Sequence, residues 1–282
     1  MTKSENLSHL ITQLEVSGIP LDPGSQYLRL PDWCTSIKID VGLSHNAPMT
    51  MEWLRQQPEG LIVFCFEPLN DNIDSSKRAL ENFYGAEAVQ SKAVVLQFAL
   101  GTADGLQNMY VTPDAGQSSF LEPKRTEVIG EEEVRVTRLD TLLSLIDWER
   151  IARVDYLKTD CQGTDIEVLQ GAGELIRNVA IITSEADSGS YLGSNNRRSL
   201  MAKYLKSKGF EHINPRPAYK ELIGEIIKRS NKIHGLFLKV FHKAKPVQSG
   251  KELTISTEDP TFVNAKFQIL VNQGLITAFQ KG

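Results

Sequence analysis

The chain has 282 residues, with 31 basic against 35 acidic side chains and a formal net charge of -4. That length suits one large α/β domain, and the near-balance of charge lacks the basic footprint that a nucleic-acid backbone favours. No run approaches the roughly 20 apolar residues of a membrane span, and residues 1–15 lack the apolar core of a signal peptide.

Residues 7–16 read as a helix, followed by a Pro/Gly-rich connector over 20–24. Ile37, Ile39 and Val41 then alternate with Ser36, Lys38 and Asp40, the period-2 pattern of a half-buried strand. Asn46 is placed to cap a helix running through Pro48 to about Arg55. Residues 61–66 are a continuous apolar run, as in a strand covered on both faces, and 94–100 is similar. Between these two runs, residues 71–82 are charged and helix-compatible. Gly101-Thr102-Ala103-Asp104-Gly105 is a turn signal, followed by a strand candidate over 107–112, a polar loop over 114–119 and a β-branched piece over 134–137.

Strand patterns return at 154–159 and 179–183. A helix beginning at Thr164 puts Ile166, Leu169 and Ala172 on one face and Asp165 and Glu167 at its positive end. A further helix over 197–208 stops at Gly209. Residues 233–241, which include His234, alternate again, and Asp259-Pro260 is placed to open a last helix carrying Val263, Phe267 and Leu270. Strands alternating with helices specify βαβ units and a largely parallel sheet. The expected organisation is a helical arm over 1–30, a main domain over 31–245 and a C-terminal appendage over 246–282. Cys34, Cys65 and Cys161 have no zinc-ligand spacing. Cys65 and Cys161 read as small buried hydrophobes, and a reducing, cytoplasmic setting is expected.

Open parallel sheets bind ligands beyond the carboxyl ends of their strands, so the residues just after each strand carry the functional information. After the first come Asp40-Val41-Gly42, where a glycine lets backbone approach a ligand or makes a tight turn. After the second stands Glu67, a carboxylate able to accept both hydroxyls of a ribose or to cap the next helix. After a later one comes Asp160, with Gly163 leading into the next helix. Glu185 and Asp187 close the series. Four strands ending in acids at one rim is the strongest feature that the residues alone supply.

Five segments in this order resemble the FkbM family of S-adenosylmethionine-dependent methyltransferases. They are Ile39-Asp40-Val41-Gly42, Phe66-Glu67-Pro68, Ala99-Leu100-Gly101 with Gly105, Arg138-Leu139-Asp140-Thr141, and the stretch 154–172. The last is similar to the family's V-D-x-L-K-x-D-x-E-G-x-E-x-x-V-L-x-G-A and is the most specific. The resemblance covers about residues 36–240. It implies a class I methyltransferase fold, a Rossmann-like α/β sandwich with a seven-stranded, mostly parallel sheet, helices on both faces and one antiparallel strand near the C-terminal edge. It also implies S-adenosyl-L-methionine as cofactor, held by Asp40 and Gly42 at its methionine end, by Glu67 at the ribose, and by Asp160 near the sulfonium. The chain departs from the family where another glycine usually follows Gly42, having Leu43-Ser44-His45-Asn46-Ala47, and where Gln162 and Asp165 replace glutamates.

The expected activity is O-methylation of a hydroxyl on a small molecule or glycan. A protonated hydroxyl is a poor nucleophile, so a base is required; Asp160 and His45 are the candidates. Asp160, Glu185 and Asp187 are hard oxygen donors of the type magnesium takes, but acids at strand ends are common without metal, and none is expected. Two other readings stay open: a methyltransferase scaffold kept for binding, favoured by the altered turn and Gln162, and a nicotinamide dehydrogenase, disfavoured by the missing G-x-G-x-x-G. No nucleic-acid or membrane partner is expected, and self-association into a homo-oligomer is left open.

Overall fold

The computed structural model describes residues 3–187, 189–213 and 259–267. Helix α1 (Lys3–Val16) leads into β1 (Ser36–Val41), α2 (Pro48–Gln56), β2 (Leu61–Phe66), α3 (Asn70–Tyr84), α4 (Ala86–Lys92) and β3 (Ala93–Leu96). A smaller unit follows, β4 (Ala99–Leu100), β5 (Gly105–Val111) and β6 (Gly130–Thr137), then α5 (Leu139–Leu143), β7 (Val154–Thr159), α6 (Asp165–Gly171) and β8 (Val179–Ser184). Helix α7 (Arg198–Ser207), β9 (Phe210–Ile213) and β10 (Thr261–Asn264) complete the described elements.

The main sheet has the order β3-β2-β1-β7-β8-β10-β9. Among the described strands only β10 runs against its neighbours, pairing antiparallel with both β8 and β9. This is the expected α/β sandwich. Side chains alternate between its faces, as strand geometry requires. Ile62, Phe64 and Phe66 of β2 join a core with Leu10 and Leu14 of α1, Leu142 of α5, Leu169 of α6 and Leu205 of α7. Leu61, Val63 and Cys65 face the other way, onto Trp53 and Leu54 of α2, Leu80 of α3 and Val89 of α4. Leu28 and Leu30 share the first core, so the arm expected over 1–30 is part of the packed body.

Four expectations are corrected. β1 is buried along its whole length rather than on one face, because its polar side chains have internal partners. Ser36 donates to Asp155 at 2.6 Å, Lys38 lies 5.5 Å from the Trp53 ring centroid, and Asp40 accepts from Thr50. The single strand expected over 94–100 is broken at Gln97, whose N–H is taken by the Gln13 side chain of α1, so that β3 and β4 enter different sheets. Asn46 does not cap α2; the cap position is Ala47, in the left-handed region at φ 44°. The helix expected from Asp259 is instead β10, which draws part of the segment set apart as an appendage into the main sheet. Residues 233–241 with His234, Leu270 and the boundary at 245/246 lie outside the described residues.

The smaller sheet, β4-β6-β5, packs over the β2–α3 connection through Leu69, Ala99, Val134 and Val136. It stands as a wall beside the carboxyl edge of the main sheet.

Candidate active site

Strand register brings the candidate residues together. Val41 pairs with Phe66 on one side and with Thr159 on the other, and Thr159 pairs with Ser184. The residues that follow, Gly42, Glu67, Asp160 and Glu185, therefore leave the sheet at one level. The turns after β1 and β7 touch. Gly42 has φ +77°, and a Cβ there would lie 2.0 Å from the Asp160 carbonyl oxygen. Close approach of two backbones, more than approach to a ligand, is what demands glycine here.

Asp40 does not line the crevice, contrary to the expectation of a direct ligand. It lies one residue inside the strand end with no exposed surface, accepting from the Thr50 hydroxyl at 2.7 Å and pairing with Lys158 at 3.2 Å. Lys158 is the residue that sequence reasoning missed. Its ammonium also donates to the Gly42 carbonyl at 2.7 Å and lies 3.7 Å from Asp160. Burial works against that charge, but Asp40 and then Asp160 outweigh it and hold its pKa above the ordinary lysine value. A signal was present, since Asp40 and Lys158 are each costly alone in buried strands and are register partners.

Glu67 lines the crevice and is 4% exposed. One carboxylate oxygen accepts from Leu69 N at 3.2 Å and Asn72 Nδ2 at 3.1 Å; the other, among the described residues, accepts only from Ser44 N, at 3.3 Å. Burial pushes its pKa up, against these hydrogen bonds and the nearby Lys158. Each carboxylate oxygen takes about two hydrogen bonds, so Oε2 retains capacity. Ser44 reaches this position with φ 61°, while Leu43 turns fully into the core. The bulkier turn thus directs a backbone N–H onto Glu67. Phe66, Phe98, Leu100, Met109 and Phe120 wall the same crevice. Apolar walls beside a carboxylate with spare acceptor capacity fit a nucleoside: base against the wall, a ribose hydroxyl on Glu67 Oε2.

Asp160 lines the other end, its side chain 42% exposed. Gln162, at φ 52°, donates its side-chain amide to Asp160 Oδ1 at 2.8 Å and accepts from the Tyr191 hydroxyl. Asp165 is fully buried behind the rim and accepts from Cys161 N and from Asn196 Nδ2, so its departure from glutamate concerns packing rather than the crevice. Burial, with Asp160 nearby, pushes its pKa up to about 7. Neither Asp160 nor the Thr164 side chain caps α6; the side-chain amide oxygen (Oδ1) of Asn196, thirty residues downstream in the chain, accepts from Ile166 N. Glu185 is pushed up to about 9 by burial and then by Asp160 and Asp165, and its Oε2 is buried without a hydrogen-bond partner among the described residues. His45 is exposed beside Ser44 and is not among the crevice residues. Cys65 is buried as expected, whereas Cys161 reaches the crevice. Among the described residues no group of three or more His, Cys, Asp or Glu is arranged to hold a metal, and no helix is long and apolar enough to cross a membrane.

The strand order, the single reversed strand and a carboxylate-lined crevice at the switch point define a class I methyltransferase fold. The methyltransferase FkbM domain matches residues 40–212, more than half of the chain. The protein belongs to this family, which uses S-adenosylmethionine. No protein of curated function matches the sequence. Among solved structures it is similar to methyltransferase FkbM from Methylobacillus flagellatus KT, at 16% identity and a TM-score of 0.41 over 70% of this chain. The chain spans 44% of the length of that protein. It is also similar to a SAM-dependent methyltransferase from Thiobacillus denitrificans in complex with S-adenosyl-L-homocysteine, at 12% identity and a TM-score of 0.32, covering 93% of this chain and 96% of that one.

Proposed function

We propose that the chain transfers the methyl group of S-adenosylmethionine to a hydroxyl of a small molecule or glycan, with Asp160 taking the proton. The observation that carries this reading is the convergence of two unlike carboxylates on one apolar-walled crevice: Glu67, buried, and Asp160, partly exposed. Glu67 accepts from a ribose hydroxyl through Oε2, and the phenylalanines and Met109 exclude water from the base. Lys158 ties Gly42 and Asp160 together, so the methionine end and the proton acceptor share one rigid support; Asp40 acts through Lys158 rather than on the ligand.

When bound, S-adenosylmethionine supplies an electrophilic methyl group on a sulfonium. Asp160 holds the acceptor hydroxyl in line, and takes its proton as the oxygen–carbon bond forms and the carbon–sulfur bond breaks. His45, turned to solvent, has no part. Three free thiols suit a cytoplasmic setting.

The test is incubation with methyl-labelled S-adenosylmethionine and a broad panel of hydroxylic acceptors, with mass-spectrometric location of the label. An O-methyl ether is expected, and Asp160→Asn slows its formation by about 10²–10⁴-fold. Label found only on nitrogen or sulfur overturns the reading. A second reading, a scaffold kept for binding, is favoured by the Ser44 N–H being turned onto Glu67. Cofactor binding with no transfer across the panel supports it.

A further inference from the structure

We infer that Gln162 and Tyr191 form a positioning relay that fixes Asp160 as a single, oriented carboxylate at the crevice mouth. This rests on the reading above, and adds two residues to it that act through Asp160.

The relay is built from three contacts. The Tyr191 hydroxyl, which also lies 3.2 Å from the Gln117 carbonyl, donates to Gln162 Oε1, and Asp160, an acceptor only, sets which end of the carboxamide faces it. The amide nitrogen then points at Asp160 Oδ1, 2.8 Å away. Gln162 is itself pinned, because its backbone carbonyl accepts from the Ser119 hydroxyl at 2.7 Å while its φ of 52° holds the side chain over the rim. Tyr191 is 3% exposed and cannot swing away without opening its own packing. It is placed by the chain pairing that fastens the loop after β8 to the loop after β5, where Leu192 N donates to Glu122 O and Lys124 N to Ser190 O.

The consequence is electrostatic. Lys158 faces Asp160 from β7 with Asp40 behind it from β1; Asp165 of α6, Glu185 after β8, Tyr191 and Cys161 face it from the other sides. The setting is already acid-rich. A carboxamide at 162 gives Asp160 a donor and adds no charge. A carboxylate at that place, 2.8 Å from Oδ1, would share a proton with Asp160 and titrate with it in two coupled steps. Gln162 therefore holds Asp160 through a donor without adding charge to the rim, and Oδ2 is left on the side of Lys158, 3.7 Å away.

The experiment reads Asp160 without any ligand. Protein labelled with ¹³C at the aspartate carboxyls is titrated by NMR, with Asp160→Asn identifying the signal, in wild type, Gln162→Glu and Tyr191→Phe. The midpoint for Asp160 is expected to rise by about one unit or more in Gln162→Glu, with a second coupled step, and to rise less in Tyr191→Phe, where the amide is free to turn over. The acidic limb of kcat/KM should move by the same amount, with KM for S-adenosylmethionine changed less than about threefold. An Asp160 midpoint unmoved in both variants overturns the relay. A midpoint that moves while the acidic limb stays put leaves the relay standing and removes Asp160 as the base, which is a failure of the proposed function instead.

Discussion

Lys158 is the support on which the rim rests, and its removal is the sharpest structural perturbation available. Lys158→Met keeps most of the aliphatic bulk and removes the ammonium. Asp40 would then lie unexposed with only the Thr50 hydroxyl for a partner, and the Gly42 carbonyl would lose its 2.7 Å donor. Breaking a buried pair by removing one partner costs about 3–5 kcal/mol, and the lost carbonyl partner adds about 1 kcal/mol, so a loss of roughly 4–6 kcal/mol is expected. Most of that loss comes from the uncompensated charge of Asp40. The double variant Asp40→Asn with Lys158→Met should therefore recover about half or more of it. Urea denaturation of the wild type, both single variants and the double variant measures this as a coupling energy. A loss below about 1 kcal/mol in Lys158→Met, or a double variant no more stable than Lys158→Met, would refute the claim that this pair is a strong internal contact.

Gly42→Ala should abolish ligand binding and destabilise by several kcal/mol: its Cβ would meet the Asp160 carbonyl at 2.0 Å, and φ +77° adds about 1–2 kcal/mol for any residue with a side chain. Wild-type affinity for S-adenosylhomocysteine in that variant would refute the tight junction of the two turns. Glu185 gives a pH dependence of definite sign. Its folded pKa of about 9 lies above the unfolded value, so it holds its proton longer in the folded state, and the stability this contributes is complete in acid and is lost as pH rises through about 9. Glu185→Gln removes that slope. From pH 6 to pH 8 the wild type should lose about 3 kcal/mol relative to the variant, and parallel stability curves would contradict the buried, proton-retaining carboxyl.

Much of the fold was legible because it is written in local pattern. The continuous apolar run 61–66 marks a strand covered on both faces, and β2 is buried throughout. The helices before Gly85 and Gly209 end where those glycines adopt positive φ. The rim was legible for a second reason, since parallel strands of similar length put the residues after them at one level whatever the rest of the chain does. What stayed hidden depends on contacts between segments far apart in sequence. Asp40 has the position of a ligand, but the β1–β7 register turns it onto Lys158. Residues 259–267 look like a helix start, yet the gap between β8 and β9 selects a strand. The cap of α6 comes from Asn196, and the role of Gln162 from Tyr191, neither of which any local signal announces.

Titration calorimetry with S-adenosylhomocysteine bears most directly on the account, because it asks whether the crevice holds an adenosyl thioether before any acceptor is known. Wild-type protein should bind one equivalent, and Glu67→Gln, which keeps the shape but removes one hydroxyl-accepting oxygen, should bind roughly ten- to a hundredfold more weakly. Absence of heat with folded wild type, or equal affinity in the two proteins, would contradict it.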